Sequence, residues 1–449
     1  MDSQRRRLLA LSGALAATSL AGCLSGGDDD SDDGTNGTDD DSSGDDSPDN
    51  GDPPTAGPSV DDERLAELAA GNAAFALDLH RQVADGNTFI SPYSISAALA
   101  MTYAGAAGET ETQMRETLRY TLGDDVHPAI GDLEAALESR ETTEPVGGDD
   151  DEDAFQLSLA NALWAQEGFP FHDEYFELVE TYYGAGIEQA DFAGDPDGER
   201  ERINDWVADQ TEDRIDELLP DGSIDDLTRL VLTNAIYFMA NWADQFDPDD
   251  TEDAAFTALD GAESTVPMMS QNLRTDYTEW NGHEAIELPY VGGEVSMVLL
   301  LPAEGEFEDF ERELTAEELF GIFDDLGDAS GDLRLPRFEI DTDVQLAETL
   351  AEMGMPDAFD EVAADFTGMS PEGDRLYIDD VYHEAFVAVD EEGTEATGAT
   401  AVVINFESAP ARSFDLTFDR PFLFCIRDKP TDAVLFFGRV TDAGAAQAE

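Results

Sequence analysis

Glu391-Glu392-Gly393-Thr394-Glu395-Ala396-Thr397-Gly398-Ala399-Thr400 is the stretch on which the fold and the function turn. It follows a strand-like run from Leu376 to Val389, and no proline interrupts it before Pro410. Gly, Thr and Ala side chains are short enough to slide between two strands already packed in a sheet. A solvent loop has no need of that composition, but a loop that must later become a strand does. A flexible Gly/Thr/Ala linker is the plainer alternative.

Motifs spread over residues 61–441 accompany this stretch in a fixed order. Asn87-Thr88-Phe89-Ile90-Ser91-Pro92-Tyr93-Ser94 precedes an apolar helix, and Leu230 to Phe238 with Asn241-Trp242 reads as a strand and its end. Leu335-Pro336-Arg337-Phe338, Gly354-Met355-Pro356-Asp357-Ala358-Phe359 and Ala364-Asp365-Phe366-Thr367-Gly368-Met369-Ser370 follow. Leu416-Thr417-Phe418-Asp419-Arg420-Pro421-Phe422-Leu423-Phe424-Cys425-Ile426 closes the set. Together they resemble the serpins, and the opening stretch resembles the hinge of the serpin reactive-centre loop. The resemblance implies an α+β fold with three β-sheets, about nine helices and an exposed loop over about 391–415.

Composition sets independent bounds. The net charge is −82, from 104 acidic and 22 basic residues, and Lys429 is the one lysine. Such self-repulsion destabilises a compact state in dilute buffer. At 1 M salt the screening length is only ~3 Å, so the composition fits a halophile's protein built for molar salt. Without a basic patch to neutralise phosphates, nucleic-acid binding is disfavoured.

Residues 1–23 read as a targeting segment. Arg5-Arg6-Arg7-Leu8-Leu9 resembles a twin-arginine export signal, and the apolar run Leu8–Ala21 falls short of the ~20 residues of a membrane span. Leu20-Ala21-Gly22-Cys23 resembles a lipoprotein box, so Cys23 is a candidate for lipidation; a simple secretory peptide with an incidental Cys23 is the alternative. The expected location is extracellular, anchored to the outer face of the membrane. Residues 24–60, an Asp/Ser/Gly-rich stretch, read as a disordered acidic tether. The other cysteine, Cys425, lies in an apolar run and reads as a buried, inert thiol.

Residues 61–449 read as one domain. Helical spacing marks Asp61–Gln82, Tyr93–Tyr103, Glu109–Leu118, Ile130–Leu137, Asp173–Tyr183, Pro196–Leu218, Phe307–Phe323 and Leu346–Met353. Strands are expected at Leu157–Trp164, Leu230–Met239, Ala285–Leu288, Val295–Leu301, Gly331–Ile340, Leu376–Val389, Leu423–Ile426 and Ala433–Phe437, with an acidic surface loop over Thr143–Asp153. Strands and helices interleave without a strict βαβ rhythm, which favours α+β.

Catalytic signatures are missing from the sequence. There is no G-x-S-x-G elbow, phosphate-cradling loop or H-E-x-x-H, and the five histidines show no metal spacing, so neither enzyme activity, cofactor nor metal is expected. The resemblance implies instead a bait loop, cut by a serine protease of subtilisin or chymotrypsin type and then inserted into the main sheet. The hinge would comprise Glu391, Gly393, Thr394, Glu395, Ala396, Thr397, Gly398 and Ala399. Ser91, Ser94, Asn234 and His383 would meet under the centre of the sheet, the shutter. Trp242, Arg337 and Glu391 would mark the breach where the loop first goes in, with Arg337 standing where relatives often carry lysine. Counting from Glu391 places the reactive bond at Glu407-Ser408, whereas counting back from Phe422 permits 408 or 410. A cut after Phe406 is the alternative, and Arg412-Ser413 ranks third because it lengthens the insertable segment. A monomeric inhibitor is the leading expectation; a non-inhibitory serpin serving as a binding or structural protein is the second.

Overall fold

In the computed structural model, residues 60–140, 155–183, 187–211, 213–215, 217–394 and 412–447 are described. The export segment 1–23 with Cys23, the tether 24–60 apart from its last residue, and nearly all of the acidic loop Thr143–Asp153 lie outside them. So do Glu395, Ala396, Thr397, Gly398, Ala399, Phe406, Glu407 and Ser408.

The chain begins with α1 (Val60–Val83), the short β1 (Thr88–Ile90) and α2 (Pro92–Tyr103). Ser91 caps α2 by accepting from the Ser94 N–H, and Pro92 supplies a preset φ at the first turn. All twelve residues of α2 are buried, so this helix is core rather than amphipathic surface. Then come α3 (Gly108–Thr117), α4 (Val126–Glu138), β2 (Phe155–Gln166), α5 (Asp173–Tyr183), β3 (Ile187–Ala190) and α6 (Pro196–Gln210). The middle of the chain supplies β4 (Leu230–Asn241), β5 (Glu252–Thr257), β6 (Glu263–Trp280), β7 (His283–Pro289), β8 (Val295–Leu301), α7 (Phe307–Glu313) and α8 (Ala316–Asp325). The remainder supplies β9 (Gly327–Pro336), β10 (Phe338–Gln345), α9 (Ala347–Met353), β11 (Tyr382–Val389), β12 (Gly393–Thr394), β13 (Arg412–Thr417), β14 (Phe422–Asp428) and β15 (Ala433–Val440).

Two hydrogen-bonded sheets form among the described residues. The main sheet has six strands in the order β10-β11-β12-β4-β2-β3. The other has nine, β1-β15-β14-β8-β7-β6-β9-β13, with β5 also on β6. Three sheets were expected; the eighteen-residue β6 accounts for the difference. It pairs with β5 and β9 along most of its length and with β7 at its end, fusing two sheets into one ladder.

Several boundaries moved. Phe307–Phe323 is two helices, because Thr315 and Glu318 form a reciprocal capping box that starts α8 afresh. Gly331–Ile340 is two strands in different sheets, parted at Arg337. The helix expected over Pro196–Leu218 stops at Gln210, where the Thr211 hydroxyl turns back onto the Val207 carbonyl; Ile215 and Leu218 are buried beyond the helix. Leu376, Ile378 and Val381 are buried outside any strand, and β11 starts only at Tyr382.

The main core lies between the two sheets and takes in α1 and α2. On the other face of the main sheet, Ala162 and Trp164 of β2 pack with Ile203 of α6. Glu287 shows how the scarce cations are used: it is buried and accepts from Arg427, Ser296 and Lys429, each at 2.7 Å.

Candidate functional site

The site is the cleft between β4 and β11. These strands run parallel and touch at the foot, where Tyr382, His383, Glu384 and Ala385 pair with Thr233, Asn234, Ala235 and Ile236. Above that point they part, and the chain itself fills the gap. β11 climbs to Val389, turns over Asp390–Glu392, and descends as β12. Thr394 pairs with Val389 on one side and Ala240 on the other, and Gly393 pairs with Asn241.

Glycine is needed at 393 for proximity. A Cβ there would stand 2.1 Å from the Ala240 carbonyl oxygen and 2.7 Å from the Asn241 Cα. Thr394 is fully buried, with its hydroxyl 2.8 Å from the Tyr290 hydroxyl. The start of the hinge, expected in an exposed loop, is therefore already in the sheet. Thr394, named above as a hinge residue, already faces inward in the uncut chain.

The turn is pinned from several sides. The Asp390 carboxylate accepts from the N–H groups of Glu392 (2.9 Å) and Gly393 (3.2 Å). The Trp242 indole donates to the Asp390 carbonyl at 3.0 Å, and its ring stacks on Tyr290 at 4.7 Å. The N–H groups of Trp242 and Phe246 donate to the carbonyls of Glu392 and Glu391. The buried Glu391 carboxylate accepts from Arg337 Nε at 2.8 Å and from the Thr251 hydroxyl. Burial pushes the Glu391 carboxyl up, but the hydrogen bonds from Arg337 and Thr251 outweigh it and the net shift is downward. Trp242, Arg337 and Glu391 are thus brought together.

Ser91, Ser94, Asn234 and His383 also converge, at the foot of the cleft. His383 is fully buried. Its Nε2 accepts from the Ser91 N–H at 3.1 Å, which leaves Nδ1 to donate to Asn234 Oδ1 at 2.8 Å. The Asn234 amide donates to the Ser94 hydroxyl and to Asn161 Oδ1 at 2.8 Å. The Ser91 hydroxyl donates to the Leu435 carbonyl at 2.8 Å, tying the network to β15. Burial pushes the His383 pKa down to about 3, so the ring is neutral at ordinary pH.

Asn161, Tyr290, Thr251 and Asp390 were missed in the sequence. For Asn161 a signal existed: it falls in phase with Leu157 and Leu163 on the core face of β2, a polar residue in an apolar register. Tyr290 and Thr251 carry no local signal. At the far end of the loop, Arg412 pairs with Ala329 and Ser413 with Ser330, so both belong to β13. The loop expected over about 391–415 therefore ends before Arg412, and Arg412-Ser413 is held in a sheet rather than offered to a protease. Cys425 is buried with its pKa pushed up to about 12, an inert thiol.

The cleft is occupied at one end by two residues of the chain itself, and the comparisons with known proteins give the family. The family model described as Serpin (serine protease inhibitor) matches residues 70–443. An uncharacterized serpin-like protein of Thermococcus kodakarensis is 37% identical over 372 residues, covering 82% of this chain and 84% of the relative. Leukocyte elastase inhibitor A of Mus musculus is 37% identical over 390 residues, covering 84% and 99%. The solved complex of thyroxine-binding globulin with thyroxine aligns with a TM-score of 0.70 at 28% identity, covering 84% of this chain and 99% of that one. The chain belongs to the serpin family.

Proposed function

We propose that this serpin inhibits serine-type endopeptidases as a suicide substrate. The protease serine Oγ attacks the carbonyl carbon of the reactive bond; the C–N bond breaks, the new amine leaves with a proton, and an acyl ester joins loop to protease. The released loop then continues the strand that β12 begins, carrying the protease away from water-ready geometry.

The observation that carries this reading is the register of β12. Extended past Thr394 ↔ Val389 and Thr394 ↔ Ala240, this register would set Ala396 between Val387 and Phe238, and Gly398 between Ala385 and Ile236. Thr400 would come between His383 and Asn234. Those neighbours are buried, so each core-facing position would receive a small side chain. Glu395, one residue out of phase, would face away from the core.

The reading includes a cut at Glu407-Ser408, with Phe406 as the alternative, and a target of subtilisin or chymotrypsin type. It also includes a monomeric protein working in molar salt, exported by a twin-arginine signal and held on the outer face of the membrane by lipid on Cys23. The second reading, a binding protein that traps nothing, draws on thyroxine-binding globulin, a protein of this fold solved with a bound small molecule.

Incubation with subtilisin or chymotrypsin in molar salt, followed by an SDS gel, separates the two. A band of summed mass that survives SDS is expected; cleavage without such a band contradicts inhibition. Mass spectrometry of the released C-terminal peptide then locates the bond. A start at Ser408 supports the first choice and a start at Glu407 the alternative, whereas a start at Ser413 overturns both.

A further inference from the structure

The chain does not leave the body after β15. Asn87 Oδ1 accepts from the N–H groups of Thr441 (2.8 Å) and Asp442 (3.0 Å), and its amide donates to the Asp442 carbonyl at 2.8 Å. Asp442 Oδ1 accepts from Gly444 (2.9 Å) and Ala445 (3.2 Å), which turns the tail back. Ala443 and Ala446 are buried.

The turn lays the tail on the start of β10, the edge strand of the main sheet. The Glu339 N–H donates to the Ala446 carbonyl at 2.8 Å. Gln447 Nε2 donates to the Arg337 carbonyl at 2.8 Å and to the Ala443 carbonyl at 2.7 Å. The Arg337 N–H donates to the Pro267 carbonyl at 3.0 Å. Both backbone polar groups of Arg337 are therefore held, one by the junction with β6 and one by the tail. The family model matches up to residue 443, so Ala446 and Gln447 lie beyond the residues it matches.

We propose that Gln447 is a positioning residue for the hinge. The tail fixes the Arg337 backbone, the Arg337 guanidinium holds Glu391, and the turn at Glu391 presents Gly393 and Thr394 to the cleft. The Arg337 side chain is 42% exposed, so holding it in one geometry costs rotamer freedom. Anchoring its backbone at both ends leaves less freedom to lose when the guanidinium pairs. For inhibition the consequence rests on the loop-insertion reading above; the coupling of tail to hinge does not.

The test uses the full chain in molar salt. Gln447→Glu keeps the length but sets a carboxylate against two carbonyl oxygens. Deuterium exchange of the peptide spanning residues 390–394 should accelerate about fivefold or more, the effect of losing one hydrogen bond. Gln447→Lys, which restores a donor, should return it towards wild type. In a Glu391→Gln background, where Arg337 has no carboxylate to hold, Gln447→Glu should add little. Equal acceleration in both backgrounds would mean that the tail only covers an edge strand, and unchanged exchange in the wild-type background would remove the coupling outright. Where a protease is trapped, Gln447→Glu should raise the fraction cleaved without trapping severalfold. Failure of the wild type to trap any protease counts against the inhibitor reading alone.

Discussion

The two ends of one cleft are built on opposite principles. At the top, β4 and β11 are held apart by two residues of the chain itself, and the contacts are local to a turn: Asp390, Glu391, Trp242, Tyr290. At the foot the same strands are zipped directly over four residue pairs, and His383, Asn234, Asn161 and Ser94 bridge the strands and α2 beneath them. In the proposed insertion, an arriving strand would need no new opening for its first pairs but would have to replace existing ones for its last. The top would then test whether a residue fits, and the foot whether the strands can part.

The largest effect is expected at the top. Thr394→Arg puts an unpaired charge where a hydroxyl meets Tyr290, at a cost of roughly several kcal/mol. The variant should be cut as an ordinary substrate and trap nothing; trapping at the wild-type rate would remove insertion from the account.

At the foot the lever is pH. The His383 pKa lies at about 3 in the fold against a usual value of 6.5. The unfolded chain therefore binds one more proton between those limits, and this histidine's contribution to stability, full above 6.5, falls as pH drops through the window. The slope is about 1.4 kcal/mol per pH unit. Carboxylates titrate in the same range, so the quantity to measure is the difference in denaturation free energy between wild type and His383→Gln. A difference that does not change between pH 6.5 and pH 4 would mean that the ring is not buried neutral.

Smaller effects come next. Gly393→Ala drives a Cβ into the Ala240 carbonyl and should expel β12, at about 1–3 kcal/mol. Exchange at the Thr394 amide should rise sharply, and persistence of its protection would show that the two strands can spread. Glu391→Gln should cost least, about 1 kcal/mol or less, because Arg337 is partly in water. A loss of several kcal/mol would show that the pair carries the breach by itself.

This difference between the ends also explains what the sequence disclosed. Local periodicity placed Asp173–Tyr183 and Val295–Leu301 at the boundaries of α5 and β8. It failed where one apolar run serves two elements. The capping signal Thr315…Glu318 that splits α7 from α8 was present in the sequence, whereas the change of sheet at Arg337 depends on tertiary pairing. β6 was overlooked because polar residues such as Ser270, Gln271 and Asn272 interrupt its apolar pattern. Of the residues named from the resemblance, Ser91, Ser94, Asn234 and His383 converge, as do Trp242, Arg337 and Glu391. Tyr290 meets Thr394 across 104 positions of sequence, a contact that only the assembled topology reveals.

The most direct measurement is thermal unfolding of intact protein and of protein cut once in the loop, at the same molar salt. If β12 is the start of a strand that completes itself on cleavage, the cut protein gains ladder hydrogen bonds and buried apolar surface along β4 and β11. Its unfolding temperature should rise strongly. A cleanly cut protein that unfolds at the same temperature as the intact one would contradict insertion and leave the binding-protein reading in its place.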